Sequence, residues 1–518
     1  MNVQPCATAT SLIDLVEHWA SVTPHRSALR YGGRHWTWAE WSQRIRRLSG
    51  LLVDAGVGPG DRVGFLDMNH PACLEVTVAA ASIGAAAVIF NWRMAPDELT
   101  YALNDSQART LFVGAERLPT LAAATILERI DRLVVVGGNV DEYEGMLANA
   151  HSVAPGKVSR GSDPALIIYS SGTTGRPKGV VLSQNALLAH IRNVGPVFPF
   201  DVGDSNLVAM PLFHVGGICY AFLGVAAGVP TILVRQPDVA TLIDAVAAGA
   251  THAFLVPAVI INCLASDRAV EAIGALRYLG YGAAPAPLPL LKQALAIWQK
   301  VRFVQFYGQT ELSGVATVLG PDEHRDAEHS HLLLSAGRPV PGVEILVAEP
   351  DTGDQQPSGS IGELWFRTDQ AMMGYLNHPE ATAATVTSMG WVRTGDLGRM
   401  DDDGYVYVED RLKDMIITGG ENVYCPEVER ALLNHSAIAD AAVIGVPDSR
   451  WGEAVKAIVV TTSLVTSDDV IAFCRAHLAA YKCPSTVDIV DVLPRNPSGK
   501  ILKHQLREPY WVGRDRQI

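Results

Sequence analysis

Cysteine is scarce and carries no pattern. Seven residues are scattered at positions 6, 73, 219, 263, 425, 474 and 483, with no C-x-x-C among them. That spacing excludes a disulfide framework and a structural zinc site, and it favours free thiols in a reducing, cytoplasmic compartment. Positive charge is also short. The 41 Lys and Arg residues face 54 Asp and Glu, a net charge of −13. General nucleic-acid binding is excluded on that balance, and any polyanionic ligand must be met by local cations. Long uninterrupted apolar runs are missing. The best candidate for a membrane span, Gly217 to Val234, is divided by Gly224, Gly228 and Pro230. It reads as a buried helix, a turn and a strand, so no integral membrane segment is expected. Met1 to Thr10 has neither a basic cluster nor an apolar core, and Asp515-Arg516-Gln517-Ile518 is no peroxisomal tripeptide. No secretory or peroxisomal address is expected.

What is present is a large, ordinarily apolar chain. Its 518 residues suggest roughly three to four structural units. Trp41, Ile45, Leu48 and Leu52 mark one face of a helix. Strand Arg62–Leu66, helix Pro71–Ile83, strand Ala86–Phe90, helix Pro96–Leu103 and strand Thr110–Val113 then alternate. Such alternation predicts parallel strands packed between helices. Further strands are predicted at Asn206–Ala209, Phe254–Val256, Tyr278–Tyr281 and Arg302–Phe306, each running into a cluster of small or polar residues. Beyond about residue 335, short β-like runs at Val343–Val347, Glu363–Phe366 and Tyr405–Val408 predict a smaller β-rich unit. From Arg411 a compact α+β unit follows, with helices Pro426–Leu433 and Asp468–Leu478 among three strands. The expected architecture is α/β: an N-terminal domain over 1–410 built of α/β subdomains plus the β-rich one, and a small mobile C-terminal domain over 411–518.

The stretch from Ser170 to Gly179 is the most informative. Ser170, Ser171, Thr173 and Thr174 supply hydroxyls, while Gly172, Gly175 and Gly179 free the backbone to turn. Lys178 supplies a mobile positive charge. Together they describe a phosphate cradle, because close backbone N–H groups and short hydroxyls surround an anion. It is not a Walker A loop, since Lys178 lies between Pro177 and Gly179. An apolar run, Ala165 to Tyr169, predicts a buried strand leading into it. Arg411 and Lys500 are the other candidate local cations.

The cradle resembles the phosphate-binding signature of the adenylate-forming superfamily, which comprises acyl-CoA and aryl-CoA synthetases, firefly-type luciferases and nonribosomal adenylation domains. Four more segments carry the resemblance: Tyr307-Gly308-Gln309-Thr310-Glu311, Thr394-Gly395-Asp396, Arg411-Leu412-Lys413-Asp414 through Gly419-Gly420, and Pro494 through Lys500 to Leu502. The weaker Gly282-Ala283-Ala284-Pro285 resembles the segment bordering adenine and the acyl pocket. The resemblance spans about residues 11 to 507 and implies the following roles. Tyr307 packs on adenine beside Gly308, Thr310 contacts phosphate, and Glu311 with Thr174 binds Mg²⁺. Asp396 holds the ribose hydroxyls and Arg411 approaches the ribose. Lys413 is the hinge, and Gly419 and Gly420 line the pantetheine path. Lys500 bridges the carboxylate and the α-phosphate.

The implied activity is ATP-dependent formation of an acyl-adenylate with pyrophosphate release, followed by acyl transfer to CoA. ATP, Mg²⁺ and coenzyme A are the implied cofactors. An α-amino acid is disfavoured, because Phe213-His214 offers no carboxylate to pair an amine. His214 either gates the pocket, touches the acid or packs. Small residues at Gly216, Gly217, Gly282, Ala283, Gly308, Gly314 and Ala316 suggest room for a bulky apolar acid. Trp451 either contacts CoA or belongs to the core. Two alternatives share parts of this pattern: a ligase loading a stand-alone carrier protein, and a non-catalytic nucleotide-binding protein. The expected partner is a small carboxylic acid, with the chain a monomer or homodimer.

Overall fold

The computed structural model describes residues 9–124, 129–150, 160–170, 177–412, 414–418, 421–448, 450–495 and 501–512. Ser171, Gly172, Thr173, Thr174 and Gly175 of the cradle, the hinge Lys413, Gly419, Gly420 and Lys500 lie outside these residues.

Among the described residues the strands form four sheets. The first has seven strands in the order Gly374–Tyr375, Lys178–Ser183, Pro164–Ser170, Ala86–Ile89, Arg62–Leu66, Thr110–Gly114 and Arg132–Val136. Its centre is parallel, as the alternation predicts. The second has nine strands: Arg338–Pro339, Gly314–Leu319, Arg302–Gln309, Tyr278–Gly282, His252–Leu255, Asn206–Val208, Thr231–Leu233, Ser27–Tyr31 and Arg34–Thr37. Against the first sheet, and under the helices Leu12–Val22 and Trp38–Asp54, packs a helix in which every residue from Pro71 to Ser82 is buried. It can be buried all round because Ala72, Ala79, Ala80 and Ala81 are small and let neighbours approach closely on several sides. The predicted stripe Trp41, Ile45, Leu48 and Leu52 is buried on the helix Trp38–Asp54. There Thr37 and Glu40 form a capping box that satisfies the first orphan N–H groups.

The third sheet, antiparallel, contains Val343–Ala348, Gly362–Thr368, Val392–Met400 and Val406–Arg411 around its own core of Leu364, Phe366, Val392 and Val406. The fourth belongs to the smaller C-terminal domain. Gly452–Thr461 pairs with Ile438–Asp448 and Thr486–Ile489, and Ile416–Thr418 and Glu421–Val423 extend that sheet. Its core comprises Ile416, Val428, Leu432, Val443 and Val459. The segment 217–234 folds as helix Val215–Ala227, a left-handed cap at Gly228 and strand Thr231–Leu233. No helix among the described residues is long and apolar enough to cross a membrane.

Two elements differ from the sequence expectation. Tyr307, Gly308 and Gln309 are not a loop after the strand but its last three residues, because Gly314–Leu319 returns antiparallel and pairs with them. Val392–Met400 is a nine-residue strand that periodicity did not reveal, since Thr394-Gly395-Asp396 interrupts its apolar alternation.

Candidate active site

Strands of three sheets meet at the motif residues. Strand Pro164–Ser170 and strand Lys178–Ser183 are antiparallel neighbours with Ser170 opposite Lys178, so both ends of the cradle are held in register. The Lys178 ammonium lies 4.9 Å from the centre of the Tyr375 ring. The Tyr375 hydroxyl donates to Glu311 Oε1 at 2.7 Å. Glu311 sits in a tight turn, Thr310–Leu312, closed by Ser313 in a left-handed conformation (φ 54°). The turn is anchored from the other side, where Met372 N–H donates to the Glu311 carbonyl at 2.8 Å. Lys178, Thr310 and Glu311 are thus brought to one place.

A second cluster adjoins it. The Tyr307 hydroxyl donates to Asp396 Oδ2 at 2.6 Å. Arg411 Nε pairs with Asp396 Oδ1 at 2.5 Å. Asp396 and Arg411 are direct partners across the strands Val392–Met400 and Val406–Arg411, so the ladder itself sets their approach. Burial, and then the neighbouring Asp396 charge, push the Tyr307 phenol far above its usual range, so it remains a donor. Asp396 in turn holds Arg411 above its ordinary value. Gly282 pairs with Phe306, the residue before Tyr307, which starts the Ala283-Ala284-Pro285 turn one strand away. Ala283 adopts φ 63°, a left-handed conformation that costs about 1 kcal/mol or more for a residue with a Cβ.

Comparison with known proteins accounts for this convergence. Residues 16–376 match the family profile of the AMP-binding enzymes, and residues 427–500 match that of the AMP-binding enzyme C-terminal domain. The chain belongs to the AMP-binding enzymes. It is 39% identical to a feruloyl-CoA synthase of Amycolatopsis sp. over 95% of this chain and 97% of that one. It is 34% identical to a fatty acid–[acyl-carrier-protein] ligase of Streptomyces coeruleorubidus over 98% of each chain. The ATP-bound structure of MatB from Rhodopseudomonas palustris superposes with a TM-score of 0.89 at 28% identity, covering 98% of this chain and 99% of that one. The protein is therefore an adenylate-forming ligase of the acyl- and aryl-CoA synthetase type, a class that uses ATP, Mg²⁺ and coenzyme A.

The donor set of this AMP-binding enzyme fits Mg²⁺. Glu311 uses one carboxylate oxygen for Tyr375 and makes no second side-chain hydrogen bond among the described residues. Mg²⁺ takes one or two carboxylates beside phosphate oxygens, so Glu311 would hold it and the ion would neutralise phosphate charge. Tyr375 escaped the sequence reading, because its strand is only two residues long. Tyr375→Phe keeps the ring beneath Lys178 but frees Glu311. A Mg²⁺ titration of adenylation is expected to show half-saturation raised about 10-fold, and an unchanged titration would remove this role.

His214 caps the helix Val215–Ala227, its Nδ1 accepting from Gly216 N–H at 3.0 Å. Burial pushes its pKa down to about 4, so it is neutral at pH 7. Asn69, to which no sequence motif points, clamps the approach to this turn. Its amide donates to the Met210 and Val234 carbonyls at 3.0 and 3.1 Å and accepts from Leu212 N–H at 2.8 Å.

The small residues do not all open space. A Cβ on Gly217, Gly282 or Gly308 would strike the carbonyl of Pro211, Phe306 or Gly314 respectively. These glycines are required by close backbone packing rather than by a pocket, and Ala316 lies in the β-rich core. Gly216 and Gly314 instead face side chains of the surrounding helices and strands. Trp451 is 48% exposed with the Arg450 guanidinium 4.5 Å from its ring, which excludes the core reading. It precedes Gly452, which pairs with Thr418, so it flanks the edge that leads to Gly419 and Gly420.

Proposed function

We propose that this protein joins a bulky, largely apolar carboxylic acid to coenzyme A through an acyl-adenylate. The observation that carries the reading is the Asp396 carboxylate held between Tyr307 and Arg411, beside the Lys178–Tyr375–Glu311 cluster. Asp396 binds the ribose hydroxyls, Tyr307 packs on adenine, and Lys178, Thr310 and Glu311 face the phosphates. Lys500 bridges the acid and the α-phosphate during adenylation. The small domain, beginning at about Arg411, then turns about Lys413 and brings Gly419 and Gly420 to the pantetheine path. The Phe213-His214 segment carries no carboxylate, so an amino acid finds no partner there for its amine. The named relatives act on feruloyl and fatty acyl groups, which supports the bulky acid. The thiols at Cys73, Cys219, Cys263, Cys425 and Cys474 are free and buried, which supports a cytoplasmic setting.

The test is pyrophosphate release across a panel of carboxylic acids, with and without CoA. Strong CoA-dependent release is expected for an aromatic or long-chain member. Lys500→Ala is expected to lower adenylation on the order of 10²-fold while leaving CoA able to consume a supplied acyl-adenylate. Release indifferent to CoA would overturn the acceptor. A holo carrier protein is the second acceptor to assay, because the Streptomyces relative is named for one.

A further inference from the structure

His190 is a buried imidazole with both ring nitrogens idle. It lies on the helix Gln184–Val194, is 1% exposed, and neither nitrogen forms a hydrogen bond among the described residues. Buried polar groups in folded proteins are almost always paired, and such a ring is a rarity that ligand or solvent ordinarily explains. Its position is informative. A Cβ added to Gly314 would lie 3.1 Å from His190 Nε2 and 3.8 Å from Cys219 Cβ. The bare α-carbon of Gly314 therefore faces the imidazole and the helix Val215–Ala227. The backbone there has φ +118°, so a side chain is excluded on conformation as well.

Gly314 pairs directly with Gln309, the residue before the Thr310–Glu311 turn. Paired α-carbons across such a ladder are about 5 Å apart. The Gln309 amide nitrogen is likewise buried and has no hydrogen-bond partner among the described residues. Two idle polar groups thus flank one glycine at the base of the turn that faces the phosphates. No side chain of the strand Gly314–Leu319 stands between His190 and that turn at this point.

Resting on the function proposed above, we propose that His190 reads the tail of the acid: the preferred substrate carries a hydroxyl group that hydrogen-bonds the imidazole past Gly314. Burial keeps His190 neutral at pH 7, its pKa pushed down to about 4. A neutral imidazole offers one donor and one acceptor. It matches a hydroxyl, which is both, and it gives a second carboxylate no counter-charge. A site built to pair a hydroxyl rejects the analogue lacking it, because its own polar group is then left unpaired.

The experiment uses the full-length enzyme with ATP, Mg²⁺ and CoA. Matched pairs are compared by kcat/KM for CoA-dependent pyrophosphate release: 4-hydroxycinnamate with cinnamate, 4-hydroxybenzoate with benzoate, and 12-hydroxydodecanoate with dodecanoate. The hydroxylated member of the best pair is expected to win by about 10- to 100-fold. His190→Leu is expected to lower kcat/KM for the hydroxylated acid far more than for its unsubstituted partner, abolishing the preference, and His190→Gln to retain part of it. The His190→Leu protein is expected to melt no lower than wild type, since an unpaired polar group is replaced by an apolar one. Turnover of acids without preference, preference surviving in His190→Leu, or marked destabilisation of that variant would each overturn the inference alone. Absence of CoA-dependent release with every acid would overturn the proposed function together with it.

Discussion

Lowering the pH from 7.5 to 5 is expected to destabilise the large domain. His190, His252 and His324 are buried and His70 and His214 are largely so, and desolvation pushes each pKa from 6.5 down to about 4. A histidine depressed in the folded state takes up its proton first in the unfolded chain. Its contribution is intact above 6.5 and drains away as the pH falls toward 4. At pH 5 the loss is about 2 kcal/mol per residue. His252 has Asp204 3.9 Å away, which opposes the shift. The other four all act in the same direction. All five lie between residues 70 and 324, so the transition that moves is that of the large domain. Thermal melts at pH 7.5, 6.5, 5.5 and 5 are expected to show a midpoint falling on the order of 10 °C in total. A midpoint unchanged down to pH 5 would show that burial does not hold these rings neutral.

Asp396→Ala is expected to lower kcat/KM for ATP on the order of 10³-fold, the upper end of what one preorganised polar group supplies. The carboxylate does two jobs that no neighbour shares. It is the acceptor for the ribose hydroxyls in the proposed reading, and it fixes Tyr307 and Arg411 through one oxygen each. Its removal takes away the ion-pair partner of the Arg411 guanidinium and the acceptor of the Tyr307 hydroxyl. The Arg411 side chain keeps 31% exposure, so water reaches it and the fold survives. Arg411→Ala added to Asp396→Ala is expected to cost far less than the product of the two single effects, because both act on one arrangement. Steady-state kinetics with varied ATP measure both. Activity of Asp396→Ala within threefold of wild type would remove the nucleotide clamp from the mechanism.

Much of this site is legible in the sequence. The cradle, the Tyr307–Glu311 segment and Asp396 stand out because each is a short run of characteristic residue types that resembles a family motif. The first strands and helices are legible because apolar periodicity is local. Arg62–Leu66 and the start of Pro71–Ser82 match their predicted positions to the residue. What periodicity cannot read is pairing. Gly308 suggests a turn, yet it lies in a strand because Val315 pairs with it. The strand bearing Asp396 is hidden by Gly395, and only the flanking ladders extend it from Val392 to Met400.

The sequence by itself determined the residue types on offer: a hydroxyl- and glycine-rich cradle, the Glu311 and Asp396 carboxylates and a basic C-terminal segment. It also determined the α/β class, since alternating helix and strand patterns leave few other packings. The tertiary structure decided which of these groups meet. Tyr307 reaches Asp396 across 89 residues of chain, and Tyr375 reaches Glu311 across 64. It also decided which glycines are backbone necessities and which one leaves a buried histidine facing the base of the turn. Such meetings depend on separate sheets brought together by burial of distant apolar faces, and no local pattern records where a distant strand will arrive.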